Sequence, residues 1–289
     1  IGTGDWSSDV CSSDLVTGAG RGLGAAIARA FAREGARVVI NYRNSKAAAE
    51  ELATDLGDRT VALQADVQDA DAVKQMVKHA EKAVGPITAV IHNALADYSF
   101  NGDARSTVET LSAAEMLSQH STAVLGALNV IQATAPRMAD AGFGRVVTIG
   151  TNLFQNPVVP YHDYISARAA LLALTRTMAA ELGPKGITVN MVSGGLLRTT
   201  DASASTPQEV FDYIAGVTPL RSVVTPEEAA DAVLFFASPW ARAVTGQNLV
   251  VDGGLVFGWD GETVTEEPMQ DAYRFRVSMI AKGRSERKF

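Results

Sequence analysis

The stretch "TGAGRGLG", Thr17 to Gly24, sets Gly18, Gly22 and Gly24 in the spacing T-G-x-x-x-G-x-G, directly ahead of a strong helical pattern. Glycines there let the backbone turn tightly and come close to a pyrophosphate. The ligand's charge then rests on the free amide donors at the start of the next helix. Glycine spacing alone is a weak signal. A glycine loop that leads straight into an amphipathic helix is a stronger one, because both parts of an anion cradle are present.

Outward from the loop, short β-rich runs alternate with long helical patterns. "ARVVIN" (Ala36–Asn41), "TVALQA" (Thr60–Ala65), "ITAVIH" (Ile87–His92), "GRVVTIG" (Gly144–Gly150), "GITVNMV" (Gly186–Val192) and "QNLVVD" (Gln247–Asp252) predict strands. Ala25–Glu34 and Ala169–Leu182 carry apolar residues at helical spacing. Strands that are apolar throughout and separated by helices imply a parallel sheet covered on both faces. Right-handed crossovers make it doubly wound, with ligands at the carboxyl ends of the strands. The expected fold is therefore α/β, a Rossmann-type doubly wound parallel sheet of about seven strands with a damaged first strand. No linker interrupts the rhythm, so 15–258 reads as a single domain. Thr199–Pro219 follows a strand end and is polar, with one short helical pattern, as suits a segment that closes over a ligand. The tail 259–289 has mixed charge and suggests no role.

Composition narrows the function classes. With 47% hydrophobic and 20% charged residues over 289, the chain can bury one large core. A net charge of −7 offers no cationic surface for nucleic acid. No apolar run has membrane-spanning length, and the first residues lack a secretory pattern. The sole cysteine, Cys11, permits no internal disulfide, which fits a reducing cytoplasm. His79, His92, His120 and His162 fall at no metal-ligand spacing, so no metal site is expected.

From Leu15 to about Gly254, these motifs and their order resemble the short-chain dehydrogenase/reductase family. The resemblance implies NAD(P) binding through Gly18, Arg21, Gly22, Leu23 and Gly24. After the second strand, "NYRNS" (Asn41, Tyr42, Arg43) holds no acid for the adenosine ribose, while Arg43 and Arg21 suit a 2′-phosphate, so NADP(H) is favoured over NAD(H). "ADV" matches the family's adenine-contacting turn, with Asp66 as acceptor and Val67 beside it. "HNAL" resembles the family's "NNAG" and keeps Asn93 and Ala94, with Leu95 in place of glycine. In "GGLLRTT", Leu197 and Thr199 match positions that hold the nicotinamide carboxamide, and Gly194 stands where proline is usual.

The same resemblance implies a first strand in mid-sheet, yet "DWSSDVCSSDL" (Asp5–Leu15) puts Ser12, Ser13 and Asp14 there. A buried carboxylate costs several kcal/mol, against a net stability of about 5–15 kcal/mol. The segment resembles a translated sequencing-library adapter, since GAC TGG AGT TCA GAC GTG TGC TCT TCC GAT CTn encodes it. Residues 1–14 are therefore read as an artefactual leader. The alternative is a polar leader followed by a strand of Leu15 and Val16 alone.

In "YHDYISARAALLAL", the resemblance makes Tyr164 the general acid. The family's lysine, four residues on and on the same helix face, is Arg168 here. Thr151, at the end of "RVVTIGT", takes the place of the family's serine, and Ala123 that of its asparagine. His162 and Asp163 read as helix-start residues. The expected activity is NADPH-dependent reduction of a ketone, most like the 3-oxoacyl-[acyl-carrier-protein] reductase branch. Arg168 and Ala123 open the alternative of a catalytically impaired NADP-binding sensor or scaffold. Expected partners are a small-molecule or acyl-thioester substrate and an acyl carrier protein that Lys185 meets near the site mouth. The Ala/Leu faces of Ala123–Ala135 and Ala169–Leu182 suit a homodimer or homotetramer.

Overall fold

The computed structural model describes residues 13–257 apart from Asp103. The tail 259–289 and all of the leader before Ser13 lie outside the described residues. Strand β1 (Ser13–Val16) runs into the glycine loop, which opens helix α1 (Gly22–Arg33). There follow β2 (Arg37–Tyr42), α2 (Lys46–Leu56), β3 (Thr60–Gln64), α3 (Ala70–Val84) and β4 (Ala89–His92). Helix α4 (Ala113–His120) continues through a π-helical turn, Ser121–Leu125, into α5 (Gly126–Ala141). Next come β5 (Gly144–Thr151), α6 (His162–Leu182), β6 (Ile187–Gly194), α7 (Gln208–Val217), α8 (Pro226–Ala237) and β7 (Asn248–Val251). The strands form one parallel seven-stranded sheet in the order β3-β2-β1-β4-β5-β6-β7. This is the doubly wound α/β fold. The chain reverses direction across the sheet between β1 and β4.

Local chemistry explains several boundaries. Asp69 accepts from the N–H groups of Asp71 and Ala72, and so caps α3. Thr225 and Glu228 form a capping box at α8, with Pro226 as its first residue, where a missing N–H costs nothing. Helix α6 begins at His162, well before the apolar pattern that starts at Ala169, with Asp163 in its first turn. The segment after β6 contains a 3₁₀ turn (Asp201–Ser203) and α7.

Alternate residues of each strand divide between two cores. Val16, Val38, Ile40, Val147 and Ile149 pack with Ile27, Phe31, Val233 and Leu234 of α1 and α8. Leu15, Val39, Val90, Val146 and Val189 pack on the other face with Val73, Met76, Val130 and Met178 of α3, α5 and α6. A strand buried on both faces has no polar side.

β1 breaks that rule. It is a full strand from Ser13, not the two residues Leu15 and Val16. Asp14 pairs in register with Val38 and Ala89, both in the α1/α8 core, and is 1% exposed. Ser13 is also buried and hydrogen-bonds through its hydroxyl to the Val84 carbonyl. Replacing Asp14 with valine puts an apolar side chain where both neighbours are apolar. Asp14→Val is expected to stabilise the fold, because a carboxylate in a central strand carries a desolvation cost that a well-packed apolar side chain avoids. In a thermal melt this appears as a rise of a few degrees; an unchanged or lower midpoint would show that the carboxylate is accommodated.

Candidate active site

The end of β1 and the end of β4 meet where the strand order reverses, and Thr17 joins them. Its buried hydroxyl accepts hydrogen bonds from the N–H groups of Asn93 and Ala94, both 3.0 Å. The Asn93 amide donates back to the carbonyls of Thr17 and Gly18 at 3.0 and 3.1 Å. From the other side, the Asn41 amide oxygen accepts from Gly18 N–H at 3.3 Å, and its nitrogen donates to the Ala65 carbonyl at 3.0 Å. The glycine loop is therefore held from β2, β3 and β4 at once.

The loop also fits what it is expected to hold. Gly18 has φ of +62°, a left-handed conformation. A Cβ on Gly24 would lie 2.4 Å from the Gly18 carbonyl oxygen, so the first turn of α1 approaches the loop as only glycine allows. Arg21 and Leu23 flank that turn. Arg21 pairs with Asp201 at 3.1 Å, and Arg43 pairs with Asp97 at 2.9 Å and Asp66 at 3.9 Å. Both cations thus sit at the loop's edge, each against a carboxylate from a neighbouring segment. Asn41 is spent on the scaffold, and the Tyr42 ring lies in the α1/α8 core. Val67 and Ala94 are buried in the other core. Leu95 takes the family's glycine position without a positive φ. Thr199 is exposed at φ +61°, a conformation costly for a β-branched residue, and Leu197 is half-buried nearby in sequence.

Tyr164 and Arg168 share one face of α6. The guanidinium carbon lies 5.4 Å from the centre of the phenol ring. Arg168 is 3% exposed, with Nη1 donating to the Ile149 carbonyl at 2.9 Å and Nη2 to that of Ala94 at 3.4 Å. No carboxylate among the described residues pairs with it. Burial holds its pKa below the usual arginine value, and the phenol of Tyr164 acts the other way. Thr151, at the carboxyl end of β5, is buried, and its hydroxyl oxygen accepts from Leu153 N–H at 3.2 Å. Ala123 lies buried in the π-helical turn.

Two comparisons bear on this arrangement. Residues 18–256 match the family described as enoyl-(acyl carrier protein) reductase, a branch of the short-chain dehydrogenases. A 3-oxoacyl-[acyl-carrier-protein] reductase of Staphylococcus epidermidis is 30% identical over 246 residues, covering 84% of this chain and 98% of the relative. The Staphylococcus aureus protein of that name is 31% identical over 247 residues, 84% and 97%. Nodulation protein G of Azospirillum brasilense is 32% identical over 245 residues, 83% and 96%. The chain belongs to the short-chain dehydrogenase/reductase family. It is an oxidoreductase of the kind that works with a nicotinamide cofactor.

Within this family member, a ring cluster that motif reading missed encloses the tyrosine. Tyr98 stacks on Tyr164 with centroids 5.3 Å apart, and Phe100 meets it edge-on at 5.2 Å. Tyr161 packs edge-on against both Tyr98 and Phe100. The Tyr98 hydroxyl donates to Asp163 at 3.2 Å. Burial first, and that carboxylate second, push the Tyr98 pKa above its ordinary value. The segment after β6 fastens this cluster, since Phe100 N–H donates to the Ala202 carbonyl at 2.9 Å. Tyr164 is 7% exposed as a result. The sequence signal was the aromatic pair in "DYSF", directly after the β4 motif. Thr17 was missed as a hub because a lone threonine carries no spacing signal.

One expectation needs correction. Lys185 lies between the end of α6 and the start of β6, at the opposite end of the sheet from Tyr164. A strand and a helix that run antiparallel bring residue 185 back to the amino-terminal side, so it cannot meet a partner at the site mouth. No helix among the described residues is long and apolar enough to cross a membrane.

His92, where the family motif has asparagine, is completely buried, with Nδ1 3.4 Å from the Thr17 hydroxyl. Burial, reinforced by the positive charge of Arg168, lowers its pKa from 6.5 to about 3. In the unfolded chain this imidazole binds a proton before the folded one does. Its stabilising contribution is complete above about pH 6.5 and is lost as pH falls toward 3, by up to ~1.4 kcal/mol per pH unit. Between pH 7 and 5, the wild-type melting temperature is expected to fall more steeply than that of His92→Asn. Parallel curves would show that His92 does not titrate on unfolding.

Proposed function

We propose that this chain reduces the ketone of a 3-oxoacyl thioester, or of a similar carbonyl compound, to an alcohol with NADPH. The observation that carries this reading is the Tyr164–Arg168 pair on one face of α6, at the same end of the sheet as Thr151 and the glycine loop. The printed names of the staphylococcal relatives support the substrate class.

When bound, the dinucleotide supplies the hydride. The amides of Gly18–Gly24 would hold its pyrophosphate, Asp66 and Val67 its adenine, and Arg21 and Arg43 its 2′-phosphate in exchange for Asp201 and Asp97. Asn93, Ala94, Leu197 and Thr199 would border the nicotinamide half. Thr151 accepts a hydrogen bond from Leu153, which leaves its own O–H to donate to the substrate carbonyl and polarise it. Tyr164 gives its proton to the alkoxide oxygen as charge develops there. The Arg168 cation favours the phenolate left behind. Because guanidinium stays protonated, Arg168 does not relay a proton, and Tyr164 is recharged by another route. Tyr98 and Phe100 pack on the Tyr164 ring and hold it in place.

A second reading has its own support. Arg168 is committed to two backbone carbonyls, and Ala123 offers no amide, so a catalytically impaired NADP-binding sensor or scaffold would look the same. Oxidation of NADPH with an acetoacetyl thioester, followed at 340 nm, separates the two. Under the reductase reading, Tyr164→Phe lowers kcat by at least about a hundredfold. Turnover in Arg168→Lys alone would favour the impaired protein. Arg43→Ala is expected to raise the KM for NADPH about tenfold and leave that for NADH unchanged; equal effects on both would overturn the 2′-phosphate assignment. Leu117 and Leu125 are exposed along the α4–α5 segment, which supports a homodimer or homotetramer paired through these helices; a cytoplasmic location and service by an acyl carrier protein belong to the same reading.

A further inference from the structure

At the end of the sheet opposite Tyr164, the starts of β5 and β6 and the loop ahead of β7 border a half-open cavity of about 360 Å³. Phe143, Arg145, Thr188, Arg242 and Thr245 line it. Arg145 and Thr188 are register partners on adjacent strands, so their side chains leave the same face of the sheet. Arg145 is 6% exposed and packs 4.2 Å over the Phe143 ring. Its Nη1 donates to the Gly144 carbonyl at 2.9 Å, while Nε has no hydrogen-bond partner. The Thr188 hydroxyl is likewise buried without a partner. Among the described residues no carboxylate lies within ion-pair distance of Arg145 or Arg242, although the chain carries 32 acids to 25 bases.

We propose that this cavity is a second ligand site, for a phosphate group free or carried on a small phosphomonoester, bound by Arg145, Arg242 and Thr188. A buried guanidinium without an anion is costly, and the lost hydration has to be replaced. The Nε edge of the Arg145 fork is the one without a partner, and a fork edge matches two oxygens of one phosphate. Thr188 supplies a neutral donor beside it, and Arg242 a second, exposed cation from the facing loop. Lys185 lies between Gly183 and Gly186, which both border the cavity, and adds to the positive field at the rim. A planar carboxylate uses one fork, whereas a tetrahedral dianion engages all three groups. The volume leaves room for a small body attached to the phosphate. The site is independent of the glycine loop, at the other end of the strands.

Calorimetric titration of the full chain with inorganic phosphate, and separately with glycerol 3-phosphate, against chloride at equal ionic strength tests this. One ligand per chain is expected, with binding unaffected by saturating NADPH. Arg242→Ala, a surface change that leaves the fold intact, weakens binding about tenfold. Thr188→Val weakens it severalfold. Tighter binding of one probe names the source of the phosphate, and either result supports the site. No binding above the chloride control, binding indifferent to both substitutions, or displacement by NADPH, which would assign the phosphate to the glycine loop, overturns it.

Discussion

The hydroxyl of Thr17 is the point on which the site depends. It sits between β1 and β4, where crossovers leave in opposite directions, and it takes the two N–H groups that β4 presents as its strand ends. Any parallel sheet with this strand order opens a crevice there. The hydroxyl converts that crevice into a fixed distance between the glycine loop and the residues after β4. Asn41 and Asn93 complete the restraint by holding Gly18 from both sides. A loop of glycines has little conformational preference of its own, so its shape comes from these neighbours.

The other end of the crevice is governed by a buried charge. Arg168 stands among backbone carbonyls and an aromatic face, with no acid paired to it among the described residues. After burial, the same cation lowers the pKa of His92, so its charge is felt beyond the tyrosine. Guanidinium is broader than ammonium and bonds in a plane. It reaches Ile149 and Ala94 together, bridging β5 to the segment after β4. The charge beside Tyr164 is thereby also a structural tie.

Two segments distant in sequence cover the tyrosine. Tyr98 and Phe100 come from the chain after β4, and Ala202 from the insertion after β6. Each segment also lends a carboxylate, Asp97 or Asp201, to an arginine at the glycine loop. Surface ion pairs of this kind contribute about 0–1 kcal/mol each, so they are weak enough to yield to a phosphate. The cover over Tyr164 and the cations near the glycine loop are in this way parts of one arrangement.

The order of strands and helices was legible from residue pattern alone, because strands buried on both faces must be apolar and the helices between them must be amphipathic. The glycine loop, Tyr164, Thr151 and Arg168 were singled out by motif resemblance and spacing, and the fold brings them to the same end of the sheet. Strand ends shifted by one or two residues, as at Ile87 and Ala89, since hydrogen bonding between strands, not side-chain type, sets where pairing stops. The identities of Thr17, Tyr98 and Phe100 as parts of the site were decided only by tertiary structure, because their partners lie far away in the chain. So was the place of Lys185, which depends on the direction of α6 relative to the sheet. β1 shows both levels at once. Sequence flags Asp14 as unfit for a central strand, and only the pairing of Val38 and Ala89 around it shows that the sheet encloses it all the same.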